Sequence, residues 1–134
     1  MSLEKQVCSL NLAKRLMELG VKQESFCYWF TQSNAVPVVP LYGDDAERVF
    51  ANWGAKKPPS SNGGLWSAFT VAELGELLPP YFCTVNGSST AQWSCRKWSH
   101  GIIDAEVPTQ YAETEADCRA LMLIYLLEHS LITV

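Results

Sequence analysis

Hydrophobic residues change their spacing several times along the chain, and each change marks an element. Over 10–19 they recur every three or four positions. Leu12, Leu16 and Leu19 form a stripe with Ala13 and Met17 beside it, while Lys14, Arg15 and Glu18 fall on the wet side. That spacing predicts an amphipathic helix. Gly20 tolerates the left-handed backbone that ends a helix, and Val21 would then close back on Leu16. "SFCYWF" at 25–30 has the aromatic content of a strand. "TQSN" at 31–34 reads as a turn, and "VPVVPLY", ending at Tyr42, as the extended partner. Pro37 and Pro40 cannot donate ladder hydrogen bonds, so that partner belongs at a sheet edge. Asp44 or Asp45 can cap a short helix over 46–51. "NWGAKKPPSSNGG" at 52–64 is an exposed loop, broken by its Pro58–Pro59 and Gly63–Gly64 pairs.

"FTVAELGELLPP" at 69–80 carries a full helix-start signal. Thr70 and Glu73 can form a capping box, and Phe69 and Leu74 the hydrophobic staple around it. Val71, Leu74 and Leu78 make the buried stripe, and Pro79–Pro80 stop the helix. A helix-turn-helix would need a second helix a few residues later. "YFCTV" follows instead, which reads as a strand. Residues 81–98 read as a hairpin turning at Asn86–Gly87, with Trp93, Cys95 and Lys97 on one face and Ser94, Arg96 and Trp98 on the other. Residues 102–107 alternate as a further strand after a His100–Gly101 turn. Thr114 caps a last helix through His129, apolar almost all round from Leu121 to Leu127.

Together these elements predict an α+β fold: an antiparallel sheet of about four to five strands packed with three main helices, in one domain of 134 residues. The last helix has an apolar surface wider than one sheet face needs. Burial between the sheet and the first helix would cover it. Pairing of two copies about a two-fold axis would also do so, and a homodimer is the reading carried forward.

Composition narrows the function classes. Hydrophobic residues are 48% and charged residues 18%, as in a globular chain, and the net charge is −4. Nucleic-acid binders normally carry a basic stripe, and the densest basic pairs here are Lys14–Arg15, Lys56–Lys57 and Arg96–Lys97. Nucleic acid is therefore not the expected partner. No apolar run is long enough to span a membrane. The five cysteines, Cys8, Cys27, Cys83, Cys95 and Cys118, show no C-x-x-C spacing, and no secretory signal pattern precedes them. Reduced thiols in a cytoplasmic protein are expected, with no metal and no cofactor.

"SLNLAKRLMELGVKQESFCYW", "AFTVAELGELLP" and "TEADCRALMLIYLLEH" together resemble a group of small uncharacterised proteins encoded in bacteriophages, prophages and other mobile elements. The order of elements is similar from end to end. The shared motifs are features of a fold, so the resemblance implies provenance and architecture and carries over no activity and no functional residue.

Candidate chemistry is sparse. Cys83, Cys95 and His100 lie on or beside one hairpin but lack the paired spacing of a zinc site. Cys95 with His100 would be a nucleophile–base pair without an oxyanion loop. Asp104 with Glu106, and Glu113, Glu115 and Asp117, are carboxylate groups that more commonly serve as caps and solvated charge. No phosphate loop, dinucleotide fingerprint or H-E-x-x-H motif is present. Five tryptophans remain the most informative residues. Trp53 and Trp66 flank the 52–64 loop, and Trp98 points away from Trp93. Trp53, Trp66, Trp98 and Tyr42 are the candidate binding residues. The reading is a non-enzymatic accessory protein that binds another protein or itself. The alternatives are an enzyme or small-ligand binder with its site under the 52–64 loop, and DNA binding through the 70–78 helix.

Overall fold

The structure, a computed structural model, describes residues 3–30, 39–42, 65–87, 92–99, 101–104 and 106–133. A short helix α1 (Leu3–Gln6) precedes α2 (Leu10–Glu18). Then come β1 (Cys27–Phe30), β2 (Val39–Tyr42), β3 (Leu65–Ser67) and α3 (Val71–Leu77). The chain closes with β4 (Phe82–Asn86), β5 (Trp93–Ser99), β6 (Ile102–Ile103), β7 (Gln110–Ala112) and α4 (Glu115–Glu128). Among the described residues the fold is α+β with three main helices, and every strand pairing is antiparallel. The strands divide between a three-stranded sheet, ordered β2-β1-β3, and a four-stranded one in which β5 pairs with β4, β6 and β7.

The helix ends follow local chemistry. Gly20 has φ +92, and the N–H groups of Gly20 and Val21 donate to the carbonyls of Met17 and Leu16, both at 3.0 Å. These are the two bonds of a Schellman motif. Thr70 and Glu73 form the complete capping box. The other oxygen of the Glu73 carboxylate accepts from the Phe26 N–H at 3.0 Å, which ties the approach to β1 onto α3.

The end of α4 repeats the Schellman geometry with a less suitable residue. Ser130 and Leu131 donate to the carbonyls of Leu127 and Leu126, with Ser130 at φ +55. A side chain in this region is strained, whereas glycine is not. Ser130→Gly should therefore stabilise the chain by about 0.5–1 kcal/mol, the left-handed penalty less the extra entropy of glycine. A shift of the urea midpoint to higher concentration, at unchanged slope, checks this.

α4 is the centre of the molecule. Ala116, Cys118, Ala120, Met122, Leu123, Ile124 and Leu126 are buried along it, and it packs against α2 and α3 on one side and β4, β5 and β7 on the other. Its wide apolar surface is thus covered within one chain. The need for a second copy to cover it, which motivated the expected homodimer, falls away. Arg119 adds polar links from this helix. Its guanidinium donates to the Val71 carbonyl, the Thr84 hydroxyl and Glu115, each at 3.2 Å. Gly75 leaves it room, since a Cβ there would collide with the guanidinium.

Asp117 joins the first turn of α4 to the start of α2 by accepting the Ser9 N–H at 2.6 Å. Burial pushes its carboxyl above the ordinary value of 3.8, against the lowering by its bonds to Ser9. The folded chain therefore holds this proton more tightly than the unfolded chain. The resulting stability is fully present below pH 3.8 and is lost as pH rises through the raised value. Asp117→Asn should remove that component. The stability of the wild type relative to the variant should fall as pH rises above 3.8 and level off beyond the raised value, as read from urea midpoints.

Two local expectations need correction, and two short strands carry no sequence signal. The hairpin does not turn at Asn86–Gly87: the register places Asn86 opposite Trp93 and Thr84 opposite Cys95. A two-residue turn would set Val85 against Ser88 and lose the row that buries Cys95, and strand register follows burial. The 102–107 strand stops at Ile103. There Asp104 accepts the Glu106 N–H at 2.9 Å in a local turn, and Val107 is buried. Finally, β3 and β7, three residues each, are strands without a readable period. The expected 46–51 helix, the 31–34 turn and the 52–64 loop lie outside the described residues.

Candidate functional site

Residues paired directly across an antiparallel ladder share one face of the sheet. Cys95 pairs with Thr84 and Gln110, and this face packs on α4. The opposite face is built from the intervening rows. Val85, Ser94 and Tyr111 form one row across three strands, Cys83 and Arg96 a second, and Trp98 and Ile103 a third. Trp98 and Trp93 therefore lie on opposite sides, as the alternation along β5 predicts.

This outer face is unusually apolar for a surface. Tyr111 is 59% exposed, Val85 45% and Ile103 41%, while Trp98 and Arg96 are half-buried between them. The Arg96 guanidinium donates to the Ser94 hydroxyl at 2.7 Å, and that hydroxyl lies 3.4 Å from the Val85 carbonyl. Its Nε is buried and unpartnered among the described residues. Arg96 is thus pinned flat against the sheet, presenting one positive charge among aromatic and aliphatic groups. Trp, Tyr and Arg are the residue types that dominate protein-binding hot spots.

A second feature is a cleft of about 510 Å³ between the α3–β4 connection and the end of the chain. Phe82, Val107, Leu126 and Ile132 form its apolar walls. Tyr81 stands at the lip, 74% exposed, and its φ of +74 puts it in the left-handed region. Strain of this kind clusters at ligand clamps and switch regions. Lys97 and Asp104 pair at 3.5 Å, and Asp104 also takes the Glu106 N–H. The Glu106 carboxylate is exposed and has no ion pair among the described residues.

The residues singled out in the sequence scatter across these features. Trp98 belongs to the outer face. Trp66 is a correction: it is buried, paired across the ladder with the equally buried Trp29. The Lys14 ammonium lies 4.8 Å from its ring centroid. Strand β3 turns Trp66 into the core, so it presents no binding surface. Tyr42 ends β2 opposite Cys27, and Trp53 lies outside the described residues.

The candidate chemistry separates in space. Cys83 and Cys95 occupy opposite faces of one sheet, which no shared metal could bridge; His100 lies outside the described residues. Burial pushes Cys8, Cys95 and Cys118 up to about 12, so these thiols stay protonated at neutral pH and are poor nucleophiles. Asp104 and Glu106 line the same cleft, and most of the candidate carboxylates are already engaged. Glu115 binds Arg119 and Thr84, Asp117 holds Ser9, and Asp104 holds Lys97. Among the described residues no group of three or more His, Cys, Asp or Glu is placed for a metal. Arg96 and Lys97 face opposite ways and Lys97 is paired, so they do not form a basic groove. α3 is followed by strand β4, which is not the sequel of a DNA-reading motif. No described helix is long and apolar enough to cross a membrane. Compared with protein-family models, curated proteins and solved structures, the chain finds no match.

Proposed function

We propose that this chain is a non-enzymatic accessory protein, of phage or prophage provenance and cytoplasmic, that acts by binding another protein on the outer face of its four-stranded sheet. One observation carries the reading: Trp98, Arg96 and Tyr111 converge there with the exposed Val85 and Ile103. Such a face on a soluble chain would ordinarily be polar, because a one-sided antiparallel sheet alternates apolar-in and polar-out. Here both faces are apolar, and only the inner one is covered by α4. The engagement of Glu115, Asp117 and Asp104 by neighbouring groups, and the burial of Cys8, Cys95 and Cys118, favour binding over catalysis.

The test is affinity capture from cells that carry the gene, with cross-linking, comparing wild type with Tyr111→Glu. Tyr111 is exposed, so the fold should tolerate the change, while a carboxylate on this face should repel an apolar partner. A protein captured by the wild type and lost from the variant supports the assignment. Equal capture by both moves the site elsewhere.

A further inference from the structure

The geometry points to a second binding site, independent of the sheet face: the cleft beside Tyr81 takes a small cationic amphiphile, an apolar body carrying one positive charge. Its volume of about 510 Å³ lies within the range of small-molecule sites. Phe82, Val107 and Leu126 supply walls for an apolar body. The charge of the ligand follows from what is left over at the mouth. Lys97 is neutralised by Asp104 at 3.5 Å, which leaves Glu106, among the described residues, as the carboxylate lining the cleft without an ion pair. An anion would meet that carboxylate with no free cation to offset it, because Lys97 is already engaged. A cation meets Glu106 beside Tyr81, another lining residue, whose ring can add attraction for a cation.

Tyr81 is the second reason to read the cleft as a built site. It follows Pro79–Pro80 with φ +74, and its carbonyl accepts the Trp98 N–H at 2.8 Å. A glycine would satisfy the same backbone without strain. An exposed aromatic at this position gives the fold no packing in return, whereas at the lip of the cleft it can close over a ligand.

The experiment titrates the intact chain with hexyltrimethylammonium, hexanesulfonate and 1-hexanol, followed by amide chemical shifts. The cation should bind saturably, perturb Tyr81, Phe82 and Val107, and bind about threefold to tenfold more tightly than the alcohol. The sulfonate should bind more weakly than either. Glu106→Gln, which removes no bond described in the structure, should bring cation and alcohol to similar affinity. Tyr81→Gly should weaken the cation while leaving stability equal or higher. Absence of saturable binding, a preference for the sulfonate, or an unchanged cation preference in Glu106→Gln would overturn the proposal. So would a lysine-containing peptide that binds the cleft more tightly than the free cation, since that would assign the cleft to a protein segment. Because Tyr111→Glu tests a different face, the two sites can fail separately.

Discussion

Leu123→Ala is expected to destabilise the chain by about 3 kcal/mol, within the roughly 2–5 kcal/mol of fully buried leucine truncations. Leu123 is wholly buried in the middle of α4, between helices and sheet. Truncation removes its transfer energy and leaves a cavity that cannot collapse easily, because packed elements on both sides would have to move together. For a chain of this length the loss corresponds to a fall in Tm of about 10 °C. Leu121 is only half-buried on the same helix, and Leu121→Ala should cost distinctly less. Urea denaturation of both variants checks the order. Equal costs would mean that α4 is not enclosed as described.

Trp29→Phe should cost about 2–3 kcal/mol, and the comparison with Trp66→Phe separates its causes. The two tryptophans are paired across β1 and β3 and are both buried. Trp29 donates its Nε1–H to the Cys8 carbonyl at 2.7 Å, a buried bond that fastens β1 to the segment before α2. Trp66 has no partner for its Nε1 among the described residues. Both substitutions remove similar volume, but only the first strands a buried acceptor, whereas the second removes an unsatisfied donor and weakens the contact with Lys14. The difference between them should be at least about 1 kcal/mol, the cost of an unmade buried hydrogen bond. Equal losses would show that packing alone decides the site.

The capping signals were legible in the sequence because they are local. Thr70 with Glu73, Gly20 with Val21, and Thr114 before the last helix each act within a few residues, and each forms the bonds its residue types allow. The opposite faces of Trp93 and Trp98 were legible for the same reason, since alternation is a property of one strand. Register was not. The Asn86–Gly87 turn preference lost to the burial of Cys95 against α4, an interaction between residues far apart in sequence. Strand β7 was missed because three residues after Pro108 carry no period, although they bring Tyr111 onto the outer face. Only part of that face could therefore be read in advance: Ser94, Arg96 and Trp98 from β5, without Cys83, Val85, Ile103 or Tyr111. Trp66 was misplaced because its position beside a proline- and glycine-rich loop suggested exposure, while a three-residue strand pairs it with Trp29.

The covering of α4 likewise depends on long-range packing. Its sequence sets the width of the apolar surface but not what lies against it. Once α2, α3 and the four-stranded sheet pack against it, an exposed apolar surface among the described residues remains on the far side of that sheet. The functional reading thus moves from the helix to the Trp98–Tyr111 face.

The most direct test of that reading is the equilibrium affinity of the captured partner for the Trp98→Ala, Tyr111→Ala double variant, with unfolding curves of the same samples as the control for fold. Binding is predicted to weaken by about thirtyfold or more, the size of a central hot spot, while the variant remains cooperatively folded. Wild-type affinity in a folded double variant would contradict the account.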